Sequence, residues 1–530
     1  MLCERYDPVN LFDLIAPLSL KKEPELERLD RLLEDDALFQ LVKADLARRA
    51  PKTLTHGRHS TPVAVILRML VVKRLYHWSY EQTEYFVGDS LRLRQFCRLG
   101  LHAPPDDTTL IRWAQQITPE TVEQLNHRVV ELARQAKVTR GRKLRVDTTL
   151  VETTMHHPTD GALLADGVRV LSRLLRRAKA AGGEAMGLGA RVFASHTRAA
   201  RQWVRVIHGL ARRVREAEAE TKQRPRRERE AGDKGRKRPS PGAAAGPEAP
   251  TGAALAPAAA QATPPPPTPT GAAAGAPKEK KRRQAQEAMQ AAYASLIAVA
   301  KQSVAQAKRV RGALGEREEA RVKQLGQELE TVVPRVEQVI RQAERRVIAG
   351  ETVPASEKLV SLFEPHTQIV KRGKSGRVVE FGRKVLLDEV EGGMISGYRL
   401  LPEPGSDAPY LKASLENHQE RFGRAPHLLA GDRSFYSPTN EALAKQMGVK
   451  RVAIPYAGKA PPERVKEEKQ RWFRTGYRFR AGIEGRISVA KRRFGLDCCR
   501  DHGEAGMGRW VGWGVVTANL VQIARATAAG

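Results

Sequence analysis

Four polar residues near the C-terminal end of the chain have types and spacings that could act together on a charged substrate: Tyr477, Arg480, Glu484 and Lys491. In an α-helix, which turns by about 100° per residue, they fall within about 60° of one another and span roughly 21 Å. Apolar residues form a separate arc of the same helix: Phe479, Ile483, Ile487, Ala490 and Phe494. The pattern predicts a helix that docks through one side and presents an acid, two cations and a phenol on another. The alternative is a solvated face with ion pairs such as Arg480 with Glu484.

Two aspartates elsewhere are placed where a partner acid would be expected. Asp147 lies within KLRVDTTLVETT, whose alternating β-branched and apolar residues predict a strand. An aspartate in an apolar strand needs a metal or a hydrogen-bond partner to offset its desolvation, unless it faces water at a strand edge. Asp432 follows the short apolar run Leu428–Gly431 and precedes a helix that Ser437 and Pro438 begin. A strand–helix–strand unit puts such an acid at the carboxyl end of a strand, where open α/β sheets place their sites, although Asp432 could also be a turn residue.

Taken together, these segments resemble the bacterial insertion-sequence transposases of the DDE class. Their signature helix carries a Tyr, two residues, an Arg, three residues, a Glu, six residues and a Lys, which matches Tyr477, Arg480, Glu484 and Lys491 gap for gap. RVDTTLVE matches the region of the first aspartate, and AGDRSFY matches that of the second. The resemblance implies an RNase H-like catalytic core.

The resemblance also implies a mechanism and partners. Asp147, Asp432 and Glu484 would be the catalytic, metal-binding residues, and three carboxylates form a hard-oxygen site suited to two Mg²⁺ or Mn²⁺ ions. Two such ions can activate a water or a DNA 3′-hydroxyl for phosphoryl transfer, with Asp147 bridging them. Tyr477, Arg480 and Lys491 would bind phosphates of the transposon end. The partners would be double-stranded DNA, as terminal inverted repeats and target, and a second copy of the chain as a homodimer on DNA.

The spacing of the acids departs from the expected core in one place. Asp147 and Asp432 are 285 positions apart, whereas Asp432 and Glu484 are only 52 apart. The extra length is an Arg-rich segment predicted to be helical over about 162–221 and 279–349. Between these arms lies a Pro/Ala/Gly-rich stretch, about 223–278, whose composition predicts a disordered linker. The two arms could pack as an antiparallel pair.

Composition is consistent with a nucleic-acid partner. The 530 residues include 91 Lys plus Arg against 60 Asp plus Glu, which gives a net charge of +31. Such an excess favours a polyanion, and without a lipid-binding helix or an anchor signal DNA is favoured over a membrane. The four cysteines lack metal-ligand spacing and are expected to be reduced. No secretory signal is recognised, and the apolar run from Trp510 to Ile523 is too short and too polar to span a bilayer, so we expect a cytoplasmic, nucleoid-associated bacterial protein.

The region from Thr61 to about Lys137 reads as successive short helices, with Ser79 as one expected cap. This bundle could include a helix-turn-helix, or it could be purely structural. Its basic residues were candidates for DNA contact: Arg68, Lys73, Arg74, Arg92, Arg94 and Arg98. Asp106 and Asp107 precede a helix and are expected to be caps rather than catalytic acids.

The segments after Pro354 predict a meander of two or three antiparallel strands. The acids and histidine among them are expected to be framework residues: Glu364, His366, Glu380 and Asp388. His156 and His157 are adjacent on a predicted strand and point in opposite directions, so they are not expected to be ligands.

The predicted fold is an α/β catalytic core, an RNase H-like mixed sheet with flanking helices, plus an all-α N-terminal domain and a large helical insertion. The predicted domains are 1–138 for the N-terminal helices with probable DNA binding, 139–161 and 356–530 for the two parts of the core, and 162–355 for the insertion. A metal-dependent nuclease or resolvase with the same core, and a non-catalytic DNA-binding protein derived from a transposase, are the alternatives.

Overall fold

The computed structural model of the protein describes residues 1–5, 23–49, 52, 55–56, 59–181, 188–233, 276–314, 319–374, 377–402 and 405–528. The chain divides into two compact units. One unit contains Met1–His157 and Ala355–Gly530, and the other contains Pro158–Pro354. The second unit is therefore an insertion in the sequence of the first.

The N-terminal region of the first unit is helical: α1 (Pro24–Leu32), α2 (Asp36–Ala47), α3 (Val63–Leu75), α4 (Tyr80–Asp89), α5 (Leu91–Phe96), α6 (Asp107–Gln116) and α7 (Pro119–Gln135). The expected caps are present. Ser79 and Gln82 form a reciprocal capping box on α4, and the Asp106 carboxylate accepts from the Thr109 N–H at 2.7 Å to begin α6. Asp106 is thus a helix cap, as predicted.

Helix α3 is buried on every side, because its sequence VAVILRMLVVKRL is apolar around the whole helix. Its three cations are buried with it. Arg68 bonds Asp30 and Glu34, and the guanidinium of Arg74 lies 3.5 Å from the centre of the Trp510 ring. The expectation that Arg68, Lys73 and Arg74 contact DNA is therefore wrong, since these side chains hold the helices together.

Two of the other candidate cations are also engaged within the protein. Arg94 donates to the carbonyls of Gly88, Gly100 and His102, and Arg98 pairs with the acids that also bind Arg68. Within the described part of the bundle, Arg92 is the one member of the six that is exposed with no ion pair.

The core is a mixed sheet of seven strands: β1 (Lys143–Thr153), β2 (Gln368–Lys374), β3 (Arg377–Val390), β4 (Met394–Leu400), β5 (Leu428–Ala430), β6 (Arg451–Ala453) and β7 (Cys498–Cys499). Its main order is β2-β3-β1-β5-β6, with β4 paired to β3 and β7 to β1. Strand β1 is antiparallel to β3 and parallel to β5, so it lies between a meander and a strand–helix–strand unit. The predicted α/β core with an RNase H-like mixed sheet is confirmed.

Helices cover this sheet and connect it to the N-terminal region: α12 (Leu411–Phe422), α13 (Pro438–Gln446), α14 (Pro462–Lys469), α15 (Arg471–Phe494) and α16 (Gly503–Ala526). Helix α16 is buried along most of its length. Its Asn519 amide donates to Asn126 of α7 at 2.8 Å and to the Ile395 carbonyl of β4 at 2.8 Å. The N-terminal helices and the sheet therefore share one core.

Helix α15 contains the Tyr477–Lys491 segment and packs on the sheet through small residues and its apolar arc. Ile483, Ala490 and Phe494 are buried. A Cβ at Gly476 would lie 2.6 Å from the Cβ of Ala453 on β6, and one at Gly482 would overlap the Arg145 guanidinium from β1. These glycines let the helix backbone approach the strands closely. This close packing explains why glycine occupies these positions although it is a weak helix former.

The second unit is helical: α8 (Asp160–Ala180), α9 (Thr197–Asp233), α10 (Ala276–Leu314) and α11 (Ala320–Ala343), followed by a π-helical turn (Glu344–Ile348). Leu, Val and Ala side chains form its interior, and Gly167 of α8 lies against Val336 of α11. The buried Asp160 carboxylate accepts from Gln342 at 2.8 Å and from Arg346 at 2.7 Å. Helices α9 and α10 extend into the ends of the range assigned to a linker, and residues 234–275 lie outside the described residues.

Further sequence expectations concern cysteines and membranes. All four cysteines are free thiols, and Cys97 and Cys499 are buried. Among the described residues, no helix is long and apolar enough to cross a membrane.

The glycines of α15 give a matched pair of stability tests. We expect Gly476→Ala to lower the free energy of unfolding by about 1–2 kcal/mol, because overlap with Ala453 outweighs the gain in helix propensity. Gly485 has open space beside it. Gly485→Ala should instead raise stability by about 0.5–1 kcal/mol. Urea unfolding measures both, and a stabilising Gly476→Ala would show that the helix is not held this close to the sheet.

Candidate active site

Asp147 lies in the middle of β1, where its backbone pairs with Leu387 of β3. Its residue surface is only 8% exposed, so it does not face water at a strand edge. One carboxylate oxygen, Oδ1, accepts from the Thr148 N–H at 2.8 Å, and the other, Oδ2, accepts from Arg480 Nη2 at 3.0 Å. The desolvated acid is therefore compensated by a cation from α15.

Asp432 follows the end of β5 and caps a short 3₁₀ helix (Arg433–Phe435). Its Oδ1 accepts from the Ser434 N–H at 2.6 Å and also from the Ser434 hydroxyl. This leaves Oδ2 directed to the site, 4.0 Å from Arg480 Nη2. Because β5 is parallel to β1 and adjacent to it, the sheet places the two aspartates beside each other.

Arg480 connects all three predicted acids. Besides its contacts with Asp147 and Asp432, its Nη1 donates to Glu484 Oε1 at 2.9 Å, one turn further along α15. The Arg480 side chain is 14% exposed, while that of Glu484 is 66% exposed. The structure thus brings Asp147, Asp432 and Glu484 together around one guanidinium, at the carboxyl end of β5.

The electrostatic balance of this cluster is visible at Asp147. Burial raises the pKa of its carboxyl to about 6, and the neighbouring charges of Asp432 and Glu484 act in the same direction. The Arg480 charge and the Thr148 N–H oppose this rise without cancelling it. A second cation beside Asp147 would favour its ionised form further.

The four polar residues predicted to share one side of α15 differ in exposure. Tyr477 is 42% exposed, and Lys491 is partly buried toward the other end of the helix. Exposed arginines extend the same helix, Arg474 and Arg478 among them. The helix surface is therefore open at Glu484 and basic toward its N-terminal end.

The carboxylate set matches divalent-metal chemistry in kind but not in its present arrangement. Among the described residues, no three His, Cys, Asp or Glu side chains lie close enough to hold a metal ion as they stand. The donors around Arg480 are nevertheless all carboxylate oxygens, the ligands that Mg²⁺ and Mn²⁺ prefer. The guanidinium supplies the positive charge that these oxygens require, so the residues fit a cation at this place.

Asp407 is a fourth acid at the site, and the sequence analysis missed it. Its Oδ2 accepts from the Thr148 hydroxyl at 3.2 Å and lies 2.8 Å from Ser434 Oγ, whose single proton it shares with Asp432, so it touches the neighbours of both aspartates. Its Oδ1 pairs with Lys384 of β3 at 2.5 Å. Asp407 lies in the irregular segment GSDAP, which has no period or motif that could have revealed it.

A second buried pair fixes α15 to β1. Arg145, two residues before Asp147 on the same face of the strand, pairs with Glu389 of β3 at 2.5 Å. Its guanidinium also donates to the Phe479 carbonyl of α15 and lies 4.6 Å from the centre of the Phe479 ring. The pair therefore sets the height of the helix above the two aspartates.

The acids assigned to the framework lie elsewhere. Glu364 is buried and accepts from His502 Nδ1 at 2.7 Å and from the Gly503 N–H at 2.9 Å at the start of α16. Asp388 is buried on β3 and accepts from Asn417 at 3.3 Å. Both have the structural role that was predicted for them.

The role of Asp407 is testable by double-mutant analysis. Asp407→Ala should lower the free energy of unfolding by roughly 1–3 kcal/mol, because it removes the acidic partner of Lys384, whose side chain is only 15% exposed. Adding Lys384→Met should recover part of that loss, since the stranded charge is removed. Glu416→Ala, at an exposed acid of α12, is the control and should change stability by less than about 0.5 kcal/mol. Additive effects of the Asp407 and Lys384 changes in urea unfolding would contradict the pairing.

Comparison with known proteins yields one match. Residues 17–116 match the model of a family described as "Transposase domain (DUF772)". No curated protein matches the chain, and no solved structure matches it. The matched segment covers helices α1 to α6 and contains none of the acids of the site. The match is therefore independent of the Tyr477–Lys491 motif. The match supports a transposase family and a general role in acting on DNA.

Proposed function

We propose that this protein is a DDE-type DNA transposase of an insertion sequence, with Asp147, Asp432 and Glu484 as its catalytic acids. The observation that carries the proposal is the convergence of these three carboxylates, from distant points in the sequence, on one guanidinium beside the sheet. The transposase-domain match in a separate segment adds support. Three acids held this close need positive charge, and DNA phosphoryl transfer is chemistry that uses such a charge.

Asp147, Asp432 and Glu484 would hold two Mg²⁺ or Mn²⁺ ions. When bound, such ions supply charge that stabilises the attacking and leaving oxygens of a phosphodiester exchange. Strand β1 holds Asp147 in a buried position with fixed neighbours. Glu484 is exposed, so its side chain can adjust. The rigid acid would define the position of the site, and the mobile one would complete it.

Arg480 has two uses in this proposal. Without other cations it neutralises the acids, as its three contacts indicate. Once the acids are neutralised by other charge, Arg480 is released to bind a DNA phosphate, while Tyr477 and Lys491, further along the same helix in either direction, contact other phosphates of the backbone. Because all three project from one helix, these phosphate positions are fixed relative to Glu484.

The proposed reaction has two balanced steps. A water oxygen loses a proton and forms a bond to phosphorus at the transposon end. The bond between phosphorus and the 3′-oxygen breaks, and that oxygen takes up a proton to become a 3′-hydroxyl. That hydroxyl then attacks a target phosphodiester, joins it, and releases a target 3′-hydroxyl. The substrates are terminal inverted repeats and target DNA in the cytoplasm, and pairing of two ends calls for a homodimer on DNA.

Removing the acids one at a time tests the catalytic assignment. Asp147→Asn, Asp432→Asn and Glu484→Gln should each lower cleavage of a transposon-end duplex by roughly 10³-fold or more and retain DNA affinity. Glu416→Gln is the control of equal charge change. Cleavage and strand transfer are read on gels with labelled duplex and a second target duplex. Wild-type rates in any of the three variants would refute the assignment, and cleavage without joining would indicate a nuclease.

Removing the guanidinium tests whether the acids form a cation site. Arg480→Gln should lower stability by about 3 kcal/mol, because Asp147 stays buried without its cationic partner. Millimolar MnCl₂ should then raise the melting temperature of Arg480→Gln by several degrees more than that of the wild type. Arg478→Gln, at an exposed position of the same helix, should respond to MnCl₂ as the wild type does. Equal responses in all three proteins would exclude a cation site at these acids.

A further inference from the structure

The inserted unit carries a row of arginines that the proposed catalytic chemistry does not use. On α9, Arg198, Arg201, Arg205 and Arg212 follow one another at intervals of three, four and seven residues, and all are exposed. At about 100° per residue, these four lie within an arc of about 60° and extend over roughly 21 Å of helix. We call these four residues the arginine row.

The opposite side of α9 is the docked side. Ala200 and Ile207 are buried, and the helix contacts α8 and α10 there. This apolar side lies roughly opposite the arginine row around the helix axis. When the helix packs in its unit, the row is therefore left exposed to solvent. Val206, 39% exposed, is the only large apolar side chain of the described part of α9 that is exposed to this degree.

The row has almost no acidic partners. The sequence has no Asp or Glu from residue 185 to residue 215. Arg198, Arg201 and Arg205 form no ion pair within the described residues, and Arg212 has only a 3.8 Å contact with Glu216. Among the described residues of the unit, the repulsion between these like charges is therefore largely uncompensated.

Cations on the other helices of the unit are arranged differently. Arg177 pairs with Glu328 at 2.5 Å, Lys301 with Glu344 at 2.7 Å, and Lys308 with Glu337 at 2.6 Å. These pairs join neighbouring helices and stabilise the unit. Within the described residues, the arginine row forms no ion pair between helices. Stabilisation of the unit therefore does not explain why these arginines are there.

We infer that the arginine row binds the phosphate backbone of double-stranded DNA. A straight row of guanidinium groups is suited to phosphates along one strand and carries no means of reading bases. Single-stranded nucleic acid is less suitable, because the arc of α9 that carries the row has no Phe, Tyr or Trp on which bases could stack. A membrane is less suitable as well, because the apolar side of α9 is used for packing. This is a DNA contact separate from the acids and from their helix.

The salt dependence of binding tests the inference with a matched pair of variants. The test variant is Arg198→Gln/Arg201→Gln/Arg205→Gln, and the control is Arg177→Gln/Lys301→Gln/Lys308→Gln, which removes the same charge from cations that already have partners. Fluorescence anisotropy measures affinity for a labelled 30-base-pair duplex of arbitrary sequence at several salt concentrations. EDTA is present throughout, so cleavage does not contribute and the outcome is independent of the catalytic proposal.

We expect the test variant to lose roughly ten- to a hundredfold in affinity at low salt, with the slope of log K against log salt reduced by about 2 to 3. The control should lose much less in both, and circular dichroism should show both variants to be folded. Equal losses in the two variants would overturn the inference, because net charge alone would explain them. Unchanged DNA affinity in the test variant would also overturn it, whether or not affinity for duplex RNA or anionic lipid vesicles had fallen.

Discussion

The contact between Arg480 and Asp147 is the constraint on which the rest of the core depends. A carboxylate in the middle of a buried strand is expensive to desolvate, and the protein offsets that cost with a guanidinium from a helix 333 positions later. To deliver that guanidinium, α15 must lie close to the sheet, with its axis and rotation fixed. Gly476, Gly482 and the buried Arg145–Glu389 pair meet these requirements. A single electrostatic need at one residue thus determines how an entire helix is seated.

The same contact explains how three acids can lie together at the edge of the sheet. Three acids around one cation leave a surplus of negative charge, and this surplus adds to the burial that is the main cause of the raised pKa of Asp147. The surplus is tolerated because Glu484 is exposed and Asp407 is tied to Lys384 rather than to the cluster. The fold therefore confines the electrostatic strain to a few side chains at the edge of the sheet. Sites that bind cations are commonly built in this way, with ligands held by the scaffold before the ion arrives.

Local sequence patterns were sufficient for the elements and insufficient for the contacts between them. Strand β1, the strand–helix–strand unit around Asp432, the caps at Ser79 and Asp106 and the helix through Glu484 were predicted because each depends on residues a few positions apart. Asp407 could not be predicted, since its partners come from three separate segments. The burial of Arg68, Lys73 and Arg74 was misjudged for a different reason. Helix α3 is apolar around its whole circumference. That property predicts a central, buried helix, and the cations of such a helix must pair with other groups of the protein interior.

The long insertion between β1 and the rest of the sheet has a consequence for how the protein is made. Strand β1 leaves the ribosome well before its neighbours β3 and β5. Another 333 residues must be synthesised after Asp147 before Arg480 is present. At about 5–20 residues per second, that delay is roughly 17 to 67 s, during which the helices of the insertion can fold as a local unit. A nascent or interrupted chain therefore holds one acid of the three, exposed and without its counter-charge. The cluster of three acids is therefore completed late in synthesis, when a single helix supplies both Glu484 and the Arg480 guanidinium that contacts Asp147.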